Sequence, residues 1–330
     1  MSDLNRHAIT NAGAAESTSE APPLTESSIN ELEWDDYHVL FESLRPSEAE
    51  SIRVFHYTTI EGVIGITSSN AFHASSVHFM NDSSEVKHGV EVVMETLDVR
   101  LRRLKLDAAT HNLVQDTFEH LAATSSSYSD AFVVSFCAVN NLLSQWRAYG
   151  TNDSRYSLEF EGETLHFCSS PHSFFAPVSY LKTHKAQRAR ALIDGTINTL
   201  CNFGVTAGPY DEETLFSLRY HVSIPFLLAI MFMKDEAFRE EREWRLAYLP
   251  WLLDEGEHAQ VQIRPRDGIA LPYVNIGFVD TTGAPLAIPI QSIMTGPCRA
   301  PDLARRGIEQ LLASQGRSDI SASSSPTPLR

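Results

Sequence analysis

Cysteine is scarce. The 330 residues hold four, Cys137, Cys168, Cys201 and Cys298, which stand far apart and form no Cys-x-x-Cys pair. That argues against a disulfide framework and for buried, reduced thiols in a cytosolic protein. Positive charge is scarce too: 26 Lys and Arg against 42 Asp and Glu give a formal net charge of −16. A protein that simply coats nucleic acid needs a basic surface, so that class is set aside, while a local basic groove is not. Long hydrophobic runs are missing. The most apolar stretch, Ile224–Met233, is too short to cross a bilayer and reads as a buried helix. No basic segment followed by an apolar run opens the chain, so no signal peptide is expected. A cytoplasmic location without a membrane partner follows as the expectation.

The common catalytic signatures are also missing. There is no Gly-x-Gly-x-x-Gly after a strand, no Walker loop, no His-Glu-x-x-His and no Gly-x-Ser-x-Gly. His73 and His78 lie five apart in an extended stretch, and His166 and His172 are no better spaced. No metal is expected.

What is present is a soluble globular chain, 43% hydrophobic and 21% charged, long enough to bury a real core. Residues 1–32 and 314–330 are rich in small and polar side chains and are expected to be disordered, leaving 33–313 as one folded domain. Trp34–Leu44 reads as an opening helix and Arg53–Tyr57 as a short strand. Thr58-Thr59-Ile60-Glu61 has capping-box spacing at the start of a helix carrying Ile60, Val63, Ile64 and Thr67 on one face. Ala71–Met80 is extended. Asp82 and Glu85 repeat the capping-box spacing before a long amphipathic helix with Val86, Val90, Val93, Leu97, Leu101 and Leu104 at steps of three and four. A helix over Ala108–Ala123, a buried strand over Ala131–Ala138 and a helical turn over Leu142–Tyr149 follow.

Tyr156–Glu161 alternates as a half-exposed strand. Phe174–Tyr180 is read as a strand and Lys185–Phe203 as a helix. Glu213–Glu240 is helical in pattern, with Pro225 as a kink or break. Arg242–Tyr248 is a strand with Glu243, Arg245 and Ala247 on one side. Late strands near Val261–Arg264, Tyr273–Phe278 and Ile288–Met294 precede a closing helix, Leu303–Leu312. Strands and helices mix without regular alternation, which places the chain in the α+β class.

Four clusters could carry chemistry. His56, Tyr57 and Thr58 end a strand directly before exposed helix N–H groups, where an anionic ligand is favoured; a hydrogen-bonded core histidine and a cap explain them equally well. Asn81 and Asp82 with Glu85 could line a ligand, although helix capping alone accounts for all three. Trp146 and Tyr149, three apart on a helical turn, either pack or offer a stacking face to a base. Lys234 with Glu240–Arg245 is either a solvated face or a carboxylate and guanidinium projecting together, suited to stabilising transition-state charge.

In their order and spacing these stretches resemble the mainly bacterial domain of unknown function 2971 family. The matching landmarks are Phe55–Thr58, Phe79–Glu85, Val133–Cys137, Ser144–Gly150, Lys234, Glu241–Arg245 and Ile290–Pro297. A more distant resemblance is to the ADP-ribosyltransferase superfamily. It implies a central, mainly antiparallel split sheet flanked by helices, with NAD as substrate rather than a resident cofactor. His56 would hold the NAD ribose, and Glu243 would stabilise an oxocarbenium-like transition state, with Tyr57 beside them. Tyr57, Phe79 and Tyr149 compete as the nicotinamide platform. Lys234 and Arg245 would hold the pyrophosphate or the carboxylate in place, and Asn81 and Asp82 would line the acceptor side.

Three readings therefore enter the structural comparison. The first is an ADP-ribosyltransferase-like enzyme or NAD glycohydrolase, acting on a protein, nucleic acid or small-molecule acceptor in a toxin or phage-defence role. The second is a non-catalytic nucleotide-binding or interaction module. The third is a nuclease with Asp235 and Glu243 as metal ligands.

Overall fold

The computed structural model describes residues 34–44, 51–79, 84–125, 131–150, 154–168, 173–202, 210–250, 260–266, 268–280 and 282–328. In chain order, helix α1 (His38–Ser43) precedes strand β1 (Arg53–Thr58), helix α2 (Ile60–Ser69) and strand β2 (Phe72–Ser76). The long helices α3 (Ser84–Arg103) and α4 (Ala108–Thr124) lead into β3 (Phe132–Cys137), α5 (Leu143–Tyr149) and β4 (Tyr156–Glu161). Then come α6 (Gly162–Cys168), β5 (Ser173–Pro177), α7 (Lys182–Asn202), α8 (Glu212–Met231) and β6 (Glu243–Tyr248). The chain closes with β7 (Gln262–Arg266), β8 (Ile269–Ile276), the small hairpin β9 (Phe278–Val279) and β10 (Pro285–Leu286), β11 (Ser292–Thr295), α9 (Pro301–Ser314) and β12 (Ser321–Ser324).

The architecture is the α+β one expected, an open and mainly antiparallel sheet flanked by helices. Strand β3 is its hub. One edge of β3 pairs with β6 along its whole length, from Phe132↔Tyr248 to Cys137↔Glu243. The other edge is shared: β1 meets it at Phe55↔Cys137, and β2 at Ser75↔Val133 and Ser76↔Phe132. The sheet therefore splits beyond β3. One arm runs through β1, β4, β11 and β12, and the other through β2, β8 and β7.

Alternation along β3 separates two cores. Phe132, Val134 and Phe136 join Phe72, Phe160, Trp244 and Leu246 under α2 and α9. Val133 faces the opposite layer, where α3, α4, α7 and α8 bury Val93, Leu97, Phe118, Leu192 and Phe226. Helix α8 is long and apolar enough to cross a membrane by length and composition, but it is mostly buried inside this core. Its sequence is apolar all round because neighbours surround it.

Several boundaries differ from expectation for local reasons. Thr59, not Thr58, caps α2, its hydroxyl accepting from Gly62 N at 3.4 Å. Ile64 is exposed, while Val63 and Ile66 form the buried face. Helix α8 absorbs Pro225 and ends at Met231, and the expected continuation is a 3₁₀ turn, Glu236–Glu241. Strand β4 is mostly buried rather than half-exposed, because β1 and β11 flank it and side chains cover both faces. Cys137 is buried as expected, but Cys201 is exposed.

The expected disorder after residue 314 is contradicted: β12 lies parallel to β11, and Ser325 Oγ bonds Asn141 Oδ1 at 2.5 Å. Polar composition hid a strand whose stability comes from its ladder and from buried Ile320. The tail read over 1–32 lies outside the described residues.

Glycine matters where α3 crosses α8. A Cβ on Gly89 would stand 2.7 Å from Ile230 Cβ and 2.8 Å from its carbonyl oxygen. Gly89→Ala should therefore destabilise the protein by about 1 kcal/mol or more in urea unfolding, against the helix propensity that favours Ala. Unchanged or increased stability would show that the crossing can relax.

Candidate functional site

The charged run 240–245 becomes a site because of one backbone turn. Arg242 takes a left-handed conformation, φ 43°, at the end of the 3₁₀ turn and swings the chain into β6. Glu243 and Arg245 then project from the same face of a fully buried strand. The Arg245 fork grips Glu243, with Nε 2.7 Å from Oε1 and Nη2 3.0 Å from Oε2. Its Nη2 also donates to Glu85 from α3, and its Nη1 to the carbonyl of Met231 at the end of α8. Lys234 Nζ lies 2.9 Å from Glu85, 2.7 Å from Glu241 and 3.1 Å from Glu243.

Three carboxylates thus meet two cations. All but Glu241 are almost wholly buried. Burial alone would raise the Glu243 carboxyl, but Arg245 and Lys234, with a bond from Ser135, hold it at about 2. Burial would lower the ammonium of Lys234, yet Glu243 and Glu85 push it above the ordinary lysine range. Glu241 is raised by its own burial, partly offset by Lys234. Desolvated ions survive here because nearly every donor and acceptor is matched.

Beside this cluster lies a shallow recess with about 10 Å³ of enclosed space, open to solvent at its mouth and lined by Phe55, Tyr57, Cys137, Gln145, Tyr149 and Glu243, among others. Most of its wall is already committed. Tyr57 donates to Val139 O at 2.9 Å and accepts from Leu142 N at 3.0 Å. Trp146 meets the Tyr57 ring edge-on at 4.7 Å and donates to Asn141, so both are fixed packing rather than a stacking platform. Cys137 accepts from Val139 N, and burial pushes its thiol up to about 11. Gln145 differs. Its side chain is 5% exposed and lines the recess, yet its amide has no hydrogen-bond partner among the described residues. The Tyr149 hydroxyl has none there either, and burial raises that phenol above its ordinary value.

His56 is not part of this recess. Phe55 is opposite Cys137, and Cys137 is opposite Glu243, so those three share a face. His56, the next residue, points to the other face, between the rings of Phe72 and Phe136. Its Nδ1 lies 2.9 Å from the carbonyl of Ser135, which can only accept, so Nδ1 carries the proton. Burial lowers the imidazole to about 4 against the help of that bond, with Arg264 and His73 adding to the lowering. Of the two alternatives for His56, the hydrogen-bonded core residue is realised.

The remaining sequence candidates scatter. The first N–H groups of α2 are taken by Thr59 and by Ser154 Oγ, 2.7 Å from Ile60 N, so the anion cradle expected beyond Thr58 is filled. Phe79 sits half-exposed on a 3₁₀ turn. Asn81 and Asp82 lie outside the described residues. Of the two roles expected for Lys234 and Arg245, holding the carboxylate is realised: both grip Glu243, and neither stands free for a pyrophosphate. Among the described residues no group of His, Cys, Asp and Glu is arranged for a metal.

Glu85 belongs to the site in a role the sequence reading does not assign, and Gln145 is a further member. Glu85 fits a capping box or a ligand cluster with Asn81 and Asp82, but it also continues the buried line Gly89, Val93, Leu97, Leu101 at four-residue steps, the signal of a buried partner. Gln145 had no sequence signal, since a lone polar residue on a short helix is ordinary.

Glu243→Gln should destabilise the protein by about 3 kcal/mol, because it leaves buried cations short of a partner. The Glu243 carboxyl is depressed from an ordinary 4.5 to about 2, so its contribution is full above 4.5 and lost as pH falls toward 2. Urea unfolding across that window should show a shallower acid loss for Glu243→Gln than for wild type. Equal slopes would mean that Glu243 is not the ionised partner described.

No curated protein and no solved structure matches the chain. Residues 145–246 match the model of a family described as "Protein of unknown function (DUF2971)". The match opens on Gln145 and takes in Lys234, Glu241, Glu243 and Arg245, so the free amide and most of the ionic cluster fall inside it. Across those residues the chain is similar to the domain of unknown function 2971 family.

Proposed function

We propose that the mouth of the recess is a binding site for one planar polar ring of a nucleotide, either a base or a nicotinamide, and that the protein is a non-catalytic nucleotide-binding module. The observation that carries this reading is the Gln145 amide, which lines the recess on a residue only 5% exposed and has no hydrogen-bond partner among the described residues. A ligand that matches this amide presents a donor and an acceptor side by side. The carboxamide of nicotinamide and the amino–ring-nitrogen edge of adenine both do so. Tyr149 offers a further hydroxyl, and Phe55 an apolar wall. The enclosed part of the recess, about 10 Å³, has room for about one water molecule. A ring therefore rests at the mouth, with its polar edge toward the amide and its ribose and phosphates in solvent.

The chemistry of the lining favours binding over turnover. Both oxygens of Glu243 are held by Arg245, one of them also by Lys234, and the Cys137 thiol is protonated at neutral pH. A transferase that used His56 and Glu243 together would need them in one cleft, whereas they stand on opposite faces of the sheet.

Calorimetric titration with NAD, nicotinamide, adenosine and AMP tests the reading. Wild type should bind at least one, and Gln145→Met, which keeps the side-chain volume, should weaken it about tenfold, the equivalent of about 1.4 kcal/mol. Unchanged affinity in Gln145→Met, or no binding of any of the four by wild type, would contradict the site. Glu243-dependent release of nicotinamide from NAD would contradict the non-catalytic assignment and restore the transferase.

A further inference from the structure

The second arm of the sheet carries a cation that no carboxylate among the described residues pairs with. Arg264 on β7 is two-sided in its contacts. One terminal nitrogen lies 3.3 Å from His73 Nδ1 on β2, and the other donates to Ser75 Oγ at 3.1 Å. The Tyr273 ring on β8 sits 5.2 Å beneath the guanidinium and holds its plane. Tyr273 is itself fixed, its hydroxyl donating to Gln262 at 2.7 Å. A guanidinium has five N–H donors, so three remain unspent. Among the described residues no Asp or Glu pairs with Arg264, in contrast to Arg245, which has two.

The surroundings favour an anion. Burial and the charge of Arg266, two residues along β7 on the same side, both lower the Arg264 pKa, so the positive charge is held at a cost. A guanidinium donating toward His73 Nδ1 requires a lone pair there, which puts the neutral ring's proton on Nε2, 3.1 Å from Ser69 Oγ. The ring is wedged against Gly65, where a Cβ would come within 2.8 Å of it. Asn275, opposite His73 in the ladder, keeps a buried side-chain oxygen without a partner among the described residues. Turned over, that amide presents a donor in place of the orphaned acceptor.

We propose that Arg264, with Ser75 beside it and Tyr273 beneath it, is a binding site for a phosphate-type oxyanion. The planar fork and adjoining hydroxyl match the tetrahedral oxygens of a phosphate, and the cation gains the counter-charge it lacks among the described residues. These residues are distinct from those of the recess, so the two sites stand or fall separately.

The test uses the full-length chain and inorganic phosphate, with sodium chloride matched in ionic strength. Phosphate should raise the melting temperature of wild type saturably, and chloride should not. Arg264→Gln should weaken phosphate binding tenfold or more. Ser75→Ala keeps the charge and should weaken it about threefold or more. AMP serves as the second arm: binding about tenfold tighter than inorganic phosphate, and still lost in Arg264→Gln, identifies a nucleotide as the source of the oxyanion. Equal affinities identify free phosphate. Equal stabilisation of wild type by phosphate and chloride, or unchanged phosphate affinity in both variants, would overturn the proposal.

Discussion

The fold depends on the fork of Arg245. One side chain joins a strand, two helices and the chain that links them: it pairs with Glu243 on its own strand, Glu85 from α3 and the last carbonyls of α8 through Met231. A helix ends with carbonyls that lack intrahelical partners, and a guanidinium meets that need while answering two carboxylates. The helical layer is thereby set against the sheet at one point. The close crossing at Gly89, one turn beyond Glu85, makes the reach short enough.

The same arrangement limits the chemistry of its neighbourhood. A carboxylate whose oxygens are matched by cations is a poor general base, and its ionisation is fixed far below neutrality. The recess inherits a rigid, charged floor in place of a reactive one. Among the described residues, what is left unmatched in the recess is neutral, namely an amide and a phenol on α5. It is these groups that the proposed ligand would meet. At the other arm of the sheet the imbalance is of charge: Arg264 has donors and no counter-ion among the described residues. The two arms diverge from β3 and present different unfinished chemistry.

Much of this fold was legible because periodicity reports burial directly. The 3.6-residue stripe of α3, the strand β1 and the alternation of β6 all stand where the sequence put them. The alternation even paired Glu243 with Arg245 on one face. It could not say whether that face met solvent or protein, and solvation decides between a surface ion pair and a buried lock. His56 was misplaced for a related reason. A strand shows which residues alternate, but only the register against β3 shows that Phe55, and not His56, shares the face of Glu243. Composition misled at the C-terminus, where a serine-rich segment gains order from a neighbouring strand and from Asn141, contacts that no local property records.

Glu85 and Arg245 bind the helical layer to the sheet as a single coupled unit. A double-mutant cycle in urea at neutral pH, built from Glu85→Gln, Arg245→Gln and the combination, measures that coupling. An interaction energy of about 1 kcal/mol or more between the two substitutions is expected. Losses that add to within about 0.5 kcal/mol would contradict it, because independent sites behave that way.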